Sequence, residues 1–359
     1  MATTQVSSLD FSQKAYDRLA YFALRPELYF DQAADVMPTA QSMPGSSVQF
    51  TIVNDLPVAS AAISETSDIG AVALSDSTVT VSLAEYGNAV LTSAKLRGTS
   101  FVEIDPVVAN VIGYNAGLSL DSIARNVLRD FVMTNGTSYW NNAGAGTLSA
   151  TVTGTPTGGT NGGSNVSTTF TGTGATAKGS DFAKQRAALR SSNVAAFGGF
   201  YVAYVHPDVV FDIQQDTGAA GWRLPHVYSQ PGEIWSGEMG AFEGFRFIET
   251  PRAPIYADTA VTLTADQQTS GLAGNPAGDV YLSICMGRQG LAKAHSIVDG
   301  NGAVPHIVPG PITDYLRRFV PLGWYWLGGY SGFRKSSVRA VASTSSLTYT
   351  DPTFAPANQ

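Results

Sequence analysis

The chain is 359 residues long, 44% hydrophobic and only 14% charged, with a formal net charge of −7. That length buries a large core and divides into at least two lobes, while a charge content well under the usual quarter implies a surface covered by other subunits. The acidic balance argues against gripping nucleic-acid phosphates, the one cysteine, Cys285, closes no internal disulfide, and no run reaches the roughly 18 apolar residues of a membrane span.

The opening MATTQVSSLDF lacks the basic and apolar make-up of a signal peptide, so a soluble protein made in a cytoplasm is expected. Residues 1–44 read as an arm. Leu9 to Leu24 is helical, with Phe11, Ala15, Leu19 and Phe22 on one side and Lys14, Asp17 and Arg18 around it. Pro26 ends or kinks that helix, and a shorter turn, ELYFDQAADV, stops at Pro38. The arm packs either on its own core or on a neighbouring subunit. In the second case Phe11 and Leu19 are its contact residues.

Residues 46–84 read as two strands with a long excursion between them. SVQFTIV leads out and STVTVSL leads back, both β-branched and alternating. The stretch between them is small and polar, contains Pro and Gly, and shows no helix period. That is unusual inside a compact domain, so it is expected as a β-tongue lying on something else. Its charges are all negative: Asp55, Glu65, Asp68 and Asp76. EYGNAVLTSAKL then carries the chain onward as another strand.

Asp105 to Thr134 is the longest element. Asp105 is a natural N-cap with Pro106 at the first helical position. Val108, Val111, Ile112, Ile123, Val127, Leu128 and Phe131 recur three and four apart, and Asn135-Gly136 supplies a left-handed stop. Such a helix is about 45 Å long. Gly113 and Gly117 weaken it by roughly 1 kcal/mol each, so neighbouring packing must support it. Residues 141–179 are rich in Gly, Thr, Ser and Asn, and no charge occurs from Phe131 to Ala177. They form either a surface loop or a small β-flap.

Ser180-Asp181 begins a helix, SDFAKQRAALRSSNV. From Phe200 the pattern is mixed: FYVAYV is a buried strand, PDVVFDIQQD a short helix, and FRFIET, AVTLTAD and DVYLSICMG further strands. The chain ends in PLGWYWLGGYSGF and the alternating strand KSSVRAVAST. No internal repeat appears.

Chemistry is not legible. His206, His226, His295 and His306 are far apart, without ligand-spaced partners. His206-Pro207-Asp208 reads as a strand-to-helix turn rather than a catalytic dyad. Gly329-Tyr330-Ser331-Gly332 is not the nucleophile elbow. The stretch from Gly172 to Lys178 lacks the glycine directly before the lysine that a phosphate loop needs. Trp324, Tyr325 and Trp326 fill a core or an intersubunit contact. No catalytic residue, cofactor or metal is expected.

The order of elements, with the strings SVQFTIVNDLP, VTVSLAEYGNAVLTS, SDFAKQRAALRSSNV, YVAYVHPDVVFDIQ and GEIWSGEMGAFEGFRFIETPRAP, resembles the major capsid proteins of tailed double-stranded DNA phages. The resemblance implies an α+β chain of the HK-97-like fold. It has an N-terminal arm (1–44), an extended β-tongue or E-loop (45–84), and a peripheral domain (85–199) with the spine helix 105–134 and the insert 141–179. A mixed α/β axial domain (200–310) and a return to the peripheral domain (311–359) follow.

The function implied is self-assembly into hexamers and pentamers of an icosahedral shell. The shell holds DNA without sequence-specific binding, without a membrane, and with scaffolding, portal and cement proteins as further partners. The location implied is the virion capsid, with synthesis in the bacterial host cytoplasm. Some members weld the tongue to a neighbour through a Lys–Asn isopeptide bond. Here no lysine lies between Lys14 and Lys95, so a noncovalent shell is expected. The acidic tongue would rest on basic side chains of an adjacent copy, with Arg125 and Arg129, or Arg317 and Arg318, as the available pairs. The alternatives are an encapsulin-like cage, a Gly/Thr-rich glycan-binding adhesin and, third, a hydrolase.

Overall fold

The computed structural model describes residues 29–39, 47–59, 71–100, 104–153, 167–216, 238–256, 260–262, 279–296, 304–309, 315–316 and 318–347. In chain order the elements begin with β1 (Ala34–Thr39), β2 (Ser47–Val53), β3 (Asp76–Ser82), β4 (Ala84–Ser93), α1 (Ala94–Thr99) and α2 (Ile104–Thr134). There follow β5 (Trp140–Asn142), β6 (Ser149–Thr153), β7 (Ser167–Thr173), α3 (Gly179–Ser191), β8 (Tyr201–Val205) and α4 (Pro207–Gln215). Next come β9 (Glu238–Phe242), β10 (Phe245–Glu249), β11 (Ile255–Tyr256), β12 (Ala260–Thr262) and β13 (Val280–Met286). The last are β14 (Leu291–Ser296), β15 (His306–Pro309), β16 (Phe319–Gly332) and β17 (Val338–Ser343).

The centre is a seven-stranded mixed sheet, β5-β17-β13-β8-β10-β9, with β11 beside β13. Alternation assigns its two faces. Val202, Tyr204, Leu282, Ile284, Met286, Ala340 and Ala342 meet Ile123, Leu128 and Val132 of α2. The residues between them, Tyr201, Ala203, Val205, Cys285 and Val341, meet Phe182 and Leu189 of α3 and Val209 and Ile213 of α4. Helices therefore lie on both faces, which is why β13 is buried at every position. Each fully buried Leu or Ile here is worth about 1.5–3 kcal/mol.

The second sheet runs β1-β14-β16-β15, with β4 along the other side of β16. PLGWYWLGGYSG thus belongs to one 14-residue strand. Its glycines are sites of close approach. A Cβ at Gly329 would come within 2.1 Å of the Ser82 carbonyl oxygen, and one at Gly332 within 2.2 Å of the Phe131 ring. The first lets β3 cross β16, and the second lets α2 press onto it.

Helix α2 begins one residue before the expected Asp105 and ends at Thr134, with Gly136 at φ 92° beyond it. Asp105 also pairs with Arg97 at 2.9 Å. The segment after β4 departs from the expected strand. At Ser93 the chain turns into α1, because the Ser93 hydroxyl accepts the Leu96 amide hydrogen as an N-cap. The insert is a β-flap: β6 and β7 pair antiparallel, and Phe170, fully buried, packs on Trp140 and Tyr256. The arm helix and the stretch with Trp222 and Trp235 lie outside the described residues.

Candidate assembly surfaces

Among the described residues, exposed apolar side chains gather on two strand regions. The first is the tongue, where β2 and β3 pair in continuous antiparallel register from Ser47↔Ser82 to Val53↔Asp76. Its root is anchored through Phe50 and Val81 on Ala292 and Ala294, with the Phe50 and Phe333 rings 5.3 Å apart. Beyond the root, Val53, Leu56, Val58, Val72 and Leu74 stand exposed, Val58 at 89%. Asp55 and Asp76 are exposed among them. Glu65 and Asp68 lie outside the described residues.

The second is a blade made by the far ends of β4, β15 and β16, where Val308 faces Gly323 and Gly323 faces Ala89. One face carries an open trough of about 450 Å³ lined by Gly87, Ala89, Val308, Pro321 and Gly323. Leu91, Ile307 and Phe319 are exposed nearby. The exposed Arg318 lays its guanidinium 5.5 Å from the Phe319 ring. Arg317 is outside the described residues.

The profile of the family described as phage capsid protein matches residues 5–345. The chain belongs to that family. Its fold is similar to the capsid of Ralstonia phage GP4, with a TM-score of 0.63 and 12% identity over 98% of this chain and 100% of that one. The cyanophage Pam1 capsid gives 0.60 and 13% over 96% and 99%. The capsid of cyanophage P-SCSP1u gives 0.57 and 12% over 93% of each chain. Among curated proteins none matches. At such identities the likeness is one of fold, and the family supplies the role: a structural protein of the virion capsid shell, not an enzyme.

The basic pairs of this capsid protein are placed unequally. Arg125 is buried at 7% exposure, with its guanidinium on the Arg252 carbonyl at 3.4 Å and on the Asn126 amide oxygen at 3.1 and 3.2 Å. Burial, then the cations of Arg252 and Arg129, push its pKa down to about 10. Arg129 bonds Asp130 at 2.9 Å and lies 6.0 Å from the Tyr256 ring. Both are engaged within the subunit, while Arg318 is exposed.

A polar junction went unseen in the sequence. Lys293, 3% exposed, meets both Asp31 oxygens at 2.8 Å, and the Tyr330 hydroxyl donates to the same carboxylate. The Phe30 amide donates to Asp121 Oδ1 at 2.8 Å. The junction bolts the start of the described chain onto α2, β14 and β16. Its partners are 91 to 299 residues apart, a separation no local pattern signals. His206 caps α4 by accepting the Asp208 amide hydrogen on Nδ1. Trp324 and Trp326 are buried in the core. Among the described residues no three His, Cys, Asp or Glu side chains gather as a metal site.

Proposed function

We propose that copies of this protein assemble noncovalently, as hexamers and pentamers, into an icosahedral shell enclosing double-stranded DNA. The observation that carries the reading is the tongue: among its described residues, Val53, Leu56, Val58, Val72 and Leu74 are 54–89% exposed, beyond a root anchored through Phe50 and Val81. Exposed apolar surface of this kind marks an interaction site, and each Å² covered contributes about 25 cal/mol.

In this reading Asp55, Glu65, Asp68 and Asp76 of one tongue lie against Arg317 and Arg318 of another copy. The tongue has no lysine, so no Lys–Asn bond fixes it. Net charge −7 suits a container wall, because strong phosphate binding would hinder DNA packing and release. Scaffolding, portal and cement proteins complete the particle, made in the bacterial host's cytoplasm. Negative-stain microscopy of the purified protein is expected to reveal closed shells, and denaturing gels of mature particles a monomer band alone. A stable monomer at high concentration overturns assembly, and a ladder of covalent oligomers overturns the noncovalent wall.

A further inference from the structure

β4 forms one edge of the second sheet. Its 10 residues pair with β16 along one side, and among the described residues no strand pairs with the other. The Ala94 amide donates to the Arg318 carbonyl at 2.7 Å, so antiparallel alternation gives the even-numbered residues of β4 to β16. Glu85, Gly87, Ala89 and Leu91 therefore turn their amides and carbonyls outward. Such edges are normally blunted by proline, a bulge or charge. β4 contains no proline, its register on β16 is unbroken, and its one charge, Glu85, stands near one end. The Ala89 amide donates to the Asn88 side chain at 2.9 Å, a local contact that a second strand can replace.

We propose that β4 pairs antiparallel with β4 of a second copy across a two-fold axis, joining two blades into one sheet. The proposal rests on the self-assembly argued above and names one of its contacts. A two-fold contact needs a self-complementary surface, and β4 supplies one. Centred on Ala89, the register sets Ala89 opposite Ala89 and Leu91 opposite Gly87 of the second copy. Leu91 is 61% exposed, and Gly87 lines the trough. Position 87 has to stay bare, because a Cβ there would stand 2.7 Å from the Trp324 carbonyl oxygen. Large thus meets small twice, once on each side of the axis. A register two residues away sets Leu91 opposite Ala89 and loses that match. The same centring puts Glu85 opposite Ser93, two residues from Lys95 of the second copy. Glu85 and Lys95 are both exposed and opposite in charge, and long side chains bridge such a diagonal.

The test introduces Ala89→Cys and, separately, Leu91→Cys into the full-length chain, oxidises each preparation and runs nonreducing gels. The parent protein, whose Cys285 is fully buried, serves as the blank. Across a bonded antiparallel pair the Cα atoms are about 5.5 Å apart, within the span of a disulfide. Ala89→Cys is therefore expected to give a linked dimer. Leu91→Cys is not, because its counterpart lies four residues further along, about 14 Å away. Glu85→Lys in the Ala89→Cys chain is expected to lower the dimer yield about tenfold, and adding Lys95→Glu to restore it. Microscopy of the same samples separates this contact from assembly itself. Closed shells without the Ala89→Cys dimer overturn the pairing and leave the shell standing, whereas a dimer without shells keeps the pairing and overturns the shell. Absence of both overturns both. Equal yields at 89 and 91, or no recovery on exchanging the two charges, also overturn the pairing.

Discussion

β13 and β2 are strands of equal length, 7 residues each, and both are rich in β-branched and apolar residues. β13 is buried throughout, between α2 on one face and α3 with α4 on the other. β2 buries only Phe50, and in its far half Thr51 and Val53 are exposed and Ile52 is half-buried. The contrast lies in what the chain supplies to cover each strand. The central sheet completes its burial within one copy. The tongue and blade do not, and their apolar groups stay available to another molecule.

Leu128→Ala in α2 tests the self-sufficient region and carries the largest effect. Leu128 is fully buried, so unfolding of the isolated subunit in denaturant should need about 2–5 kcal/mol less. Leu56→Asp with Val58→Asp tests the other region. These side chains are 54% and 89% exposed, so subunit stability should stay within about 0.5 kcal/mol. Particle yield by sedimentation should fall about tenfold, the effect of 1.4 kcal/mol per copy. Equal losses of stability in both variants would erase the distinction.

The same contrast explains what the sequence disclosed. Helix α2 was readable because Pro106, its apolar period and Asn135-Gly136 are all local signals. The buried strands were readable from their apolar runs, and the β2–β3 pair from its two alternating, β-branched strings. Arg125 was not, because charges at positions 125 and 129 look like a solvated helix face. What covers that face comes from Phe30 and Arg252, the latter 127 residues away. The α1 turn was missed because its cap, Ser93, sits inside an otherwise strand-like string. The blade was missed because its strands meet only through β16, which pairs residues 322–325 with 306–309 and residues 319–323 with 89–93.

A smaller effect separates the regions by pH. Burial holds His206 below its ordinary pKa of 6.5, against the opposing pull of Asp208. The unfolded chain therefore takes up the proton first, and subunit stability should fall as pH drops below 6.5. His206→Gln should flatten that slope, by about 1 kcal/mol across a one-unit window. Tongue variants should keep it, because no histidine lies in the tongue. A slope unchanged in His206→Gln would remove this histidine as its source.

Arg318→Ala should give the smallest change and discriminates most finely. Arg318 is exposed and lies against Phe319, and Asp55 and Asp76 are exposed on the tongue. A pair between them across copies would be worth under about 1 kcal/mol, so the isolated subunit should not notice the substitution. Repetition over many contacts makes the deficit visible in assembly at low salt. It should vanish near 1 M salt, where the screening length is about 3 Å. Arg125→Ala is no substitute, because it strips a buried guanidinium from the Arg252 carbonyl and would weaken the fold at any ionic strength. If Arg318→Ala assembles like the parent protein at every salt concentration, the tongue is held by its apolar side chains alone, and its acidic residues serve solubility instead.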